Sequence, residues 1–182
     1  MTESMADKGW TFVPPENIKN ISSPITVFLR DPKQRFISGV NTFVQHLQGD
    51  HLDTHTVLYF VNRYLFLNRH YAPQFFWLLN LYRNVGPDAC VTFRHIEDIG
   101  QLTDVHSHAD VEPITPELRN YMQSFDWSKI ELYFYLDQVL LNHVNQTVRI
   151  SDLLQHIKTD HAELYNLIFK RTQDLVDVLP KT

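Results

Sequence analysis

ITVFLRDPKQRFIS, residues 25–38, runs from five β-favouring residues straight into Arg-Asp-Pro and from there into a helical pattern. The run Ile25–Leu29, bounded by Pro24 and by Arg30-Asp31-Pro32, predicts a short strand buried on both faces, as in a parallel sheet. Asp31 is suited to an N-cap, Pro32 to the first helical position, and Gln34 stands where it can complete a capping box. A helix is therefore predicted from Pro32. Phe36, Val40, Phe43, Val44 and Leu47 follow its period as one apolar stripe, and Ser38, Asn41, Thr42 and Gln45 fall on the other face. A strand that ends at a helix N-terminus presents unpaired N–H groups and the positive end of the helix dipole to an anion. Arg30 sits at that mouth with a guanidinium able to hold phosphate oxygens bidentately, and Ser38 offers a hydroxyl two turns on. The competing use of Arg30 and Arg35 is pairing with local carboxylates such as Asp31.

Working outward, a second helix is predicted over Thr56–Asn68 on the stripe Val57, Leu58, Val61, Tyr64 and Leu65. A third is predicted from near Pro73 through Phe75, Leu78, Leu79 and Tyr82. CVTF, residues 90–93, reads as a second strand and IEDIGQL, residues 96–102, as a short helix, which makes another strand-to-helix junction. Two long helices are predicted for Lys129–Val144 and Ser151–Val178, the second opening on Ser151 as N-cap. The fold class expected is α/β, a small parallel sheet with helices around it, helix-rich above all in the C-terminal half.

Composition agrees with one globular domain over residues 1–182: the chain is 43% hydrophobic and 20% charged, with no repeat or low-complexity segment. Twelve Phe, eight Tyr and three Trp against five Gly favour packed helices over a turn-rich β fold. A net charge of −5 excludes a nucleic-acid-coating surface, so an anion site must be local. Cys90 is the single cysteine, which rules out an internal disulfide or a Cys-cluster metal site. MTESMADKGW lacks the apolar centre of a signal peptide, and no run approaches the roughly 20 apolar residues of a membrane span. A soluble, cytoplasmic protein is expected.

The segment VFLRDPKQRFIS resembles the R-D-P-x-x-R-x-x-S segment of sulfotransferases that use 3′-phosphoadenosine-5′-phosphosulfate (PAPS), in particular the carbohydrate sulfotransferases. NRHYAPQ (68–74) is similar to that family's H-x-x-P-Q, VTFRHIEDIGQL (91–102) to its strand followed by a Glu-bearing helix, and LYFYLDQVLL (132–141) to its tyrosine/aspartate helix. The resemblance spans about residues 24–142 and keeps the family order. It implies a P-loop nucleotide-binding architecture, PAPS as sulfuryl donor, a hydroxyl acceptor of carbohydrate type, and Arg30 and Ser38 as ligands of the donor's 3′-phosphate. His70, within H-x-x-P-Q, is the candidate general base, against the plainer role of a helix-capping histidine. Glu97 matches the family's recurrent Glu after the second strand, with pairing to Arg94 or capping as its structural use.

The family's lysine-bearing loop for the 5′-phosphosulfate normally lies well upstream of R-D-P. MADKGWTFVPPENIKN contains Lys8 and Gly9 but reads as neither a strand before them nor a helix after them, so the expectations are the C-terminal portion of a longer enzyme, that is an N-terminally truncated domain, or a domain whose missing half another subunit supplies. The alternative is a non-catalytic remnant of the fold that acts in nucleotide binding or protein association. An exposed strand edge and a homo-oligomer would follow from the missing strands. Remaining constellations are weaker: His106, His108 and Asp110 alternate in a loop without further ligands at matched spacing, and Asn145-Gln146-Thr147 fits a glycosylation sequon but reads as a loop between two helices.

Overall fold

The computed structural model describes residues 24–46, 71–102 and 126–178, with single helical positions at Tyr59, Arg63, Pro116, Asn120, Gln123 and Ser124. Two strands, β1 (Ile25–Leu29) and β2 (Cys90–His95), run parallel with Ile25 opposite Val91 and Leu29 opposite His95. A third, β3 (Thr147–Arg149), pairs with the other side of β2 in the antiparallel sense, Val148 opposite Val91. The sheet order is β1-β2-β3, so the sheet is mixed and not wholly parallel as expected. The helices are α1 (Pro32–His46), α2 (Gln74–Val85), α3 (Ile99–Leu102), α4 (Glu131–Leu141), α5 (Ile150–Asp160) and α6 (Ala162–Val178).

Residues paired across a ladder point to the same side of a sheet. Ile25, Val27 and Leu29 therefore share a face with Val91, Phe93 and Val148. On that face sit Phe75, Leu78 and Leu79 of α2, Leu136 and Leu140 of α4, Ile150, Leu153, Leu154 and Ile157 of α5, and Ile168 of α6, in one continuous core. The intervening residues, Thr26, Phe28, Thr92, Arg94, Thr147 and Arg149, fall on the opposite face. There the Thr92 and Thr147 hydroxyls share a hydrogen bond of 2.8 Å in an exposed position. The expectation that Ile25–Leu29 is buried on both faces is thus corrected: of its five residues only Leu29 is fully buried. A five-residue run with one threonine is too short to show whether its second face is covered.

α1 begins at Pro32 as predicted, with Asp31 Oδ1 accepting the Gln34 N–H at 2.9 Å. Its apolar face meets an aromatic group: Phe36 lies 5.8 Å from Phe134, 5.6 Å from Trp127 and 6.3 Å from Tyr71, ring centre to ring centre. Such edge and tilted contacts add about 0.5–1.5 kcal/mol each beyond area burial, and they seat α1 against α4. α2 begins one residue after Pro73, and Phe75 packs edge-on to Tyr165 of α6 at 6.0 Å. Tyr59 and Arg63, within the predicted helix 56–68, are helical, and the Arg63 guanidinium donates to the Tyr59 hydroxyl at 2.8 Å. The remainder of that segment lies outside the described residues.

The C-terminal half departs from the prediction in three places. Residues 147–149, read as loop, form β3. Its connection is made by the Asn145 N–H, which donates to the Phe93 carbonyl at 2.8 Å, with Asn145 itself at a positive φ of 67°. The predicted helix from Ser151 to Val178 is two helices, because His161 adopts φ −133°, ψ 43°. Leu153, Leu154, Ile157, Leu164, Tyr165 and Ile168 continue in a single helical phase across the break, so the periodicity carries no sign of it. Ser151 does not cap: α5 starts at Ile150 with no side-chain cap, and the Ser151 hydroxyl lies 3.3 Å from Asp152 Oδ1. Among the described residues no helix is long and apolar enough to cross a membrane.

The core placement is tested on one helix. Leu136 is 0% exposed and Leu132, one turn earlier, is 59% exposed. Leu136→Ala is expected to cost about 2–5 kcal/mol of unfolding free energy, and Leu132→Ala less than about 0.5 kcal/mol. Urea titrations of the two variants measure this; because Leu132 and Leu136 share a helix face, comparable losses would mean that the first turn of α4 is covered as its middle is.

Candidate functional site

Because β1 and β2 are parallel and in register to their ends, Arg30 and the turn at Ile96–Asp98 leave the sheet side by side. Ligands of open α/β sheets bind in the crevice outside such carboxyl ends. The Arg30 backbone is held there by one side chain: its N–H donates to Gln74 Oε1 at 2.8 Å, and its carbonyl accepts from Gln74 Nε2 at 2.8 Å. Gln74 is the first residue of α2 and is 7% exposed. The Arg30 guanidinium makes no hydrogen bond or ion pair among the described residues. Pairing with Asp31 is not adopted, since that carboxylate caps α1 instead.

Arg35, the other arginine of the motif, points inward. Its Nε donates to the Ala72 carbonyl at 3.2 Å, and the guanidinium lies within electrostatic reach of Asp137 on α4. Asp137 is wholly buried. Its Oδ2 accepts the Gln74 N–H and its Oδ1 the Phe75 N–H, both at 2.8 Å, and Gln74 Nε2 stands 3.5 Å from Oδ2. Asp137 is therefore the N-cap of α2, supplied from another helix, because Pro73 at the cap position offers no side-chain acceptor. Burial pushes the Asp137 carboxyl up to about 6, while the two N–H groups, Arg35 and the Gln74 amide pull it down. Burial likewise pushes Arg35 below its ordinary value, opposed by the Asp137 charge. Arg35 keeps its proton all the same, as guanidinium does in proteins.

The tip of α1 has little left for an anion. Pro32 has no N–H, the Gln34 N–H goes to Asp31 Oδ1, and the Arg35 N–H goes to the Asp31 carbonyl at 2.8 Å. Of the unpaired N–H groups expected at this helix N-terminus, the Lys33 N–H is the one left in its first turn before Gln34. Ser38 is half-buried and stands about 9 Å along the helix axis from Pro32. An anion shared by Arg30 and Ser38 would accordingly lie along the flank of α1 and not on its tip.

At the second junction His95 and Asp98 close a cap: Asp98 Oδ2 accepts the His95 N–H at 3.3 Å, and His95 Nδ1 accepts the Glu97 N–H at 3.5 Å. Glu97 Oε2 lies 3.5 Å from His95 Nδ1, whereas Arg94 donates to Asn145 Oδ1 at 2.7 Å. The expected Glu97–Arg94 pair is not formed. His70, His106, His108 and Asp110 lie outside the described residues. The residues that sequence reasoning passed over are Gln74 and Asp137. The available signal was Asp137 itself, a carboxylate in the apolar run LYFYLDQVLL, where an ionisable group is almost never buried without partners.

Asp137 makes a pH dependence with a definite sign. Its folded value of about 6 lies above the unfolded value, so the folded state holds the proton more tightly, and this contribution to stability is lost as pH rises from about 4 to about 6. The stability of the parent minus that of Asp137→Asn should fall by on the order of 2 kcal/mol over that interval and be level above it. Urea unfolding at a series of pH values gives the difference directly. A level difference throughout would place the carboxyl at its ordinary value.

No protein-family model, curated protein or solved structure matches the chain.

Proposed function

We propose that the chain is a sulfotransferase-like protein that binds PAPS, with the donor's 3′-phosphate held by the Arg30 guanidinium and the Ser38 hydroxyl along the flank of α1. The observation that carries this reading is the separation of the two motif arginines: Arg35 is committed to the interior, whereas Arg30 has its backbone pinned at the crevice and its guanidinium without a hydrogen bond or ion pair among the described residues. A pinned backbone with an unengaged planar cation is suited to grip a phosphate bidentately at little cost in ordering. The residues fit one phosphate group. In the reaction the sulfuryl group leaves the 5′-phosphate oxygen of the donor for a hydroxyl oxygen of the acceptor, a carbohydrate on the resemblance, and the hydroxyl proton passes to a base. His70 is the base that the resemblance supplies.

Donor binding without transfer is the second reading, since the described residues at the crevice offer Arg30 and Ser38 to a 3′-phosphate, while the base of the transfer step, His70, comes from the resemblance alone. On this reading labelled PAPS is bound but not turned over by this chain. Turnover that is lost in Lys8→Ala would show that the N-terminal segment does the work of the loop.

Binding is tested with adenosine 3′,5′-bisphosphate against adenosine 5′-phosphate by calorimetry. The parent should prefer the bisphosphate, and Arg30→Ala should remove about ten- to a hundredfold of that preference. Ser38→Ala should remove less, about the worth of a neutral hydrogen bond. Arg35→Ala should lower stability by about 1–3 kcal/mol, since it removes the bond to the Ala72 carbonyl and a cation within electrostatic reach of the buried Asp137. Equal affinity of the parent for both nucleotides would overturn the reading.

A further inference from the structure

We infer that Gln74 is a proton-responsive positioning residue: its side-chain amide couples the protonation of Asp137, in the core, to the backbone of Arg30, at the crevice. Among the described residues every group hydrogen-bonded to the Asp137 carboxylate is a donor, namely the Gln74 N–H, the Phe75 N–H and Gln74 Nε2. The same Gln74 amide is oriented by Arg30, with Oε1 on the N–H and Nε2 on the carbonyl. Both ends agree on one orientation as long as Asp137 is an anion.

A proton on Asp137 breaks that agreement. The new O–H needs an acceptor, and the acceptor in the cluster is Gln74 Oε1, which can reach it only if the amide turns over. The turn would set Nε2 against the Arg30 N–H and Oε1 against the Arg30 carbonyl, donor to donor and acceptor to acceptor. Two hydrogen bonds that hold Arg30 are therefore lost or strained when one proton arrives. The folded carboxyl value of about 6 puts that event within reach of mild acidification. The charged group that acts on Asp137 is Arg35 of α1, itself under the influence of Arg30. α2 presents only N–H groups and the Gln74 amide, and no other titratable side chain contributes among the described residues.

The relay rests on the binding reading above for the identity of the anion at Arg30, but not for the coupling itself, so its decisive test contains no nucleotide. Hydrogen-exchange protection of the Arg30 amide is followed by NMR on the full chain between about pH 7.5 and about pH 5, with the Gln74 side-chain amide and the Asp137 carboxyl observed in parallel. Protection of the Arg30 amide is expected to fall about tenfold with the midpoint of the Asp137 carboxyl, the effect of losing its hydrogen bond. In Asp137→Asn it should be low at every pH, because the asparagine amide, like the protonated acid, brings a donor to the cluster. Gln74→Ala leaves Asp137 its two backbone donors, and the Arg30 amide should then ignore the Asp137 titration; this variant serves if Asp137→Asn does not fold. An Arg30 amide that stays protected while Asp137 titrates, or one that still follows Asp137 in Gln74→Ala, overturns the relay. Nucleotide affinity is the secondary readout, because a 3′-phosphate itself takes up a proton near pH 6 and the loss of the Asp137 charge acts on any nearby anion through space. Both of those effects persist in Gln74→Ala, so only the part of the pH dependence that the variant removes belongs to the relay.

Discussion

A carboxylate with no access to solvent is tolerated only where enough donors replace its water, and Asp137 of α4 meets that condition with groups from two other helices. The first two N–H groups of α2 point at it, the Gln74 amide leans on it, and the Arg35 cation of α1 stands near it. Each donor is rigidly attached to an element, so satisfying one small anion fixes how α1, α2 and α4 meet. Displacing any of them would leave a charge uncompensated in the core. The geometry at Arg30 follows, because the same glutamine that serves the carboxylate holds the last residue out of β1.

The helices α2, α4, α5 and α6 are gathered on one face of a narrow sheet, and the aromatic group around Phe36 brings α1 against α4. Among the described residues the core lies on this one face, which suits a mixed sheet whose third strand is only three residues long. It also leaves the carboxyl ends of β1 and β2 next to each other. That is where Arg30, His95 and Glu97 emerge.

The two arginines of R-D-P-x-x-R show how different fates arise from similar chemistry. Arg35 lies on α1 near the stripe that packs inward and finds a carbonyl and a buried carboxylate there. Arg30 precedes the helix, where the backbone is already spoken for and the side chain is left over. The position of Arg30 at the seam and the inward course of Arg35 both follow from where the strand stops and the helix starts, a boundary set by Asp31 and Pro32. Ser38 is placed by the same helix, but only its position along the flank, and not a tip position, is compatible with a cap already closed by Asp31.

Local chemistry was enough to read β1, the start of α1, α2 and the junction after β2, since each is governed by neighbours within a few residues: an apolar run, a cap, a proline, a 3.6-residue stripe. The same locality explains the failures. β3 is three residues that become a strand only because β2 offers an open ladder, and the break at His161 leaves the apolar phase of the sequence untouched. Whether the second face of β1 is covered depends on where four helices choose to pack. The cap of α2 comes from a residue 63 positions away, so no window along the chain contains both partners. What the sequence by itself determined is the strand-to-helix seam and the arginine set at it. That a buried aspartate and a glutamine hold that arginine in place was decided by the tertiary structure, because a buried charge recruits its donors by proximity in space and not by spacing along the chain.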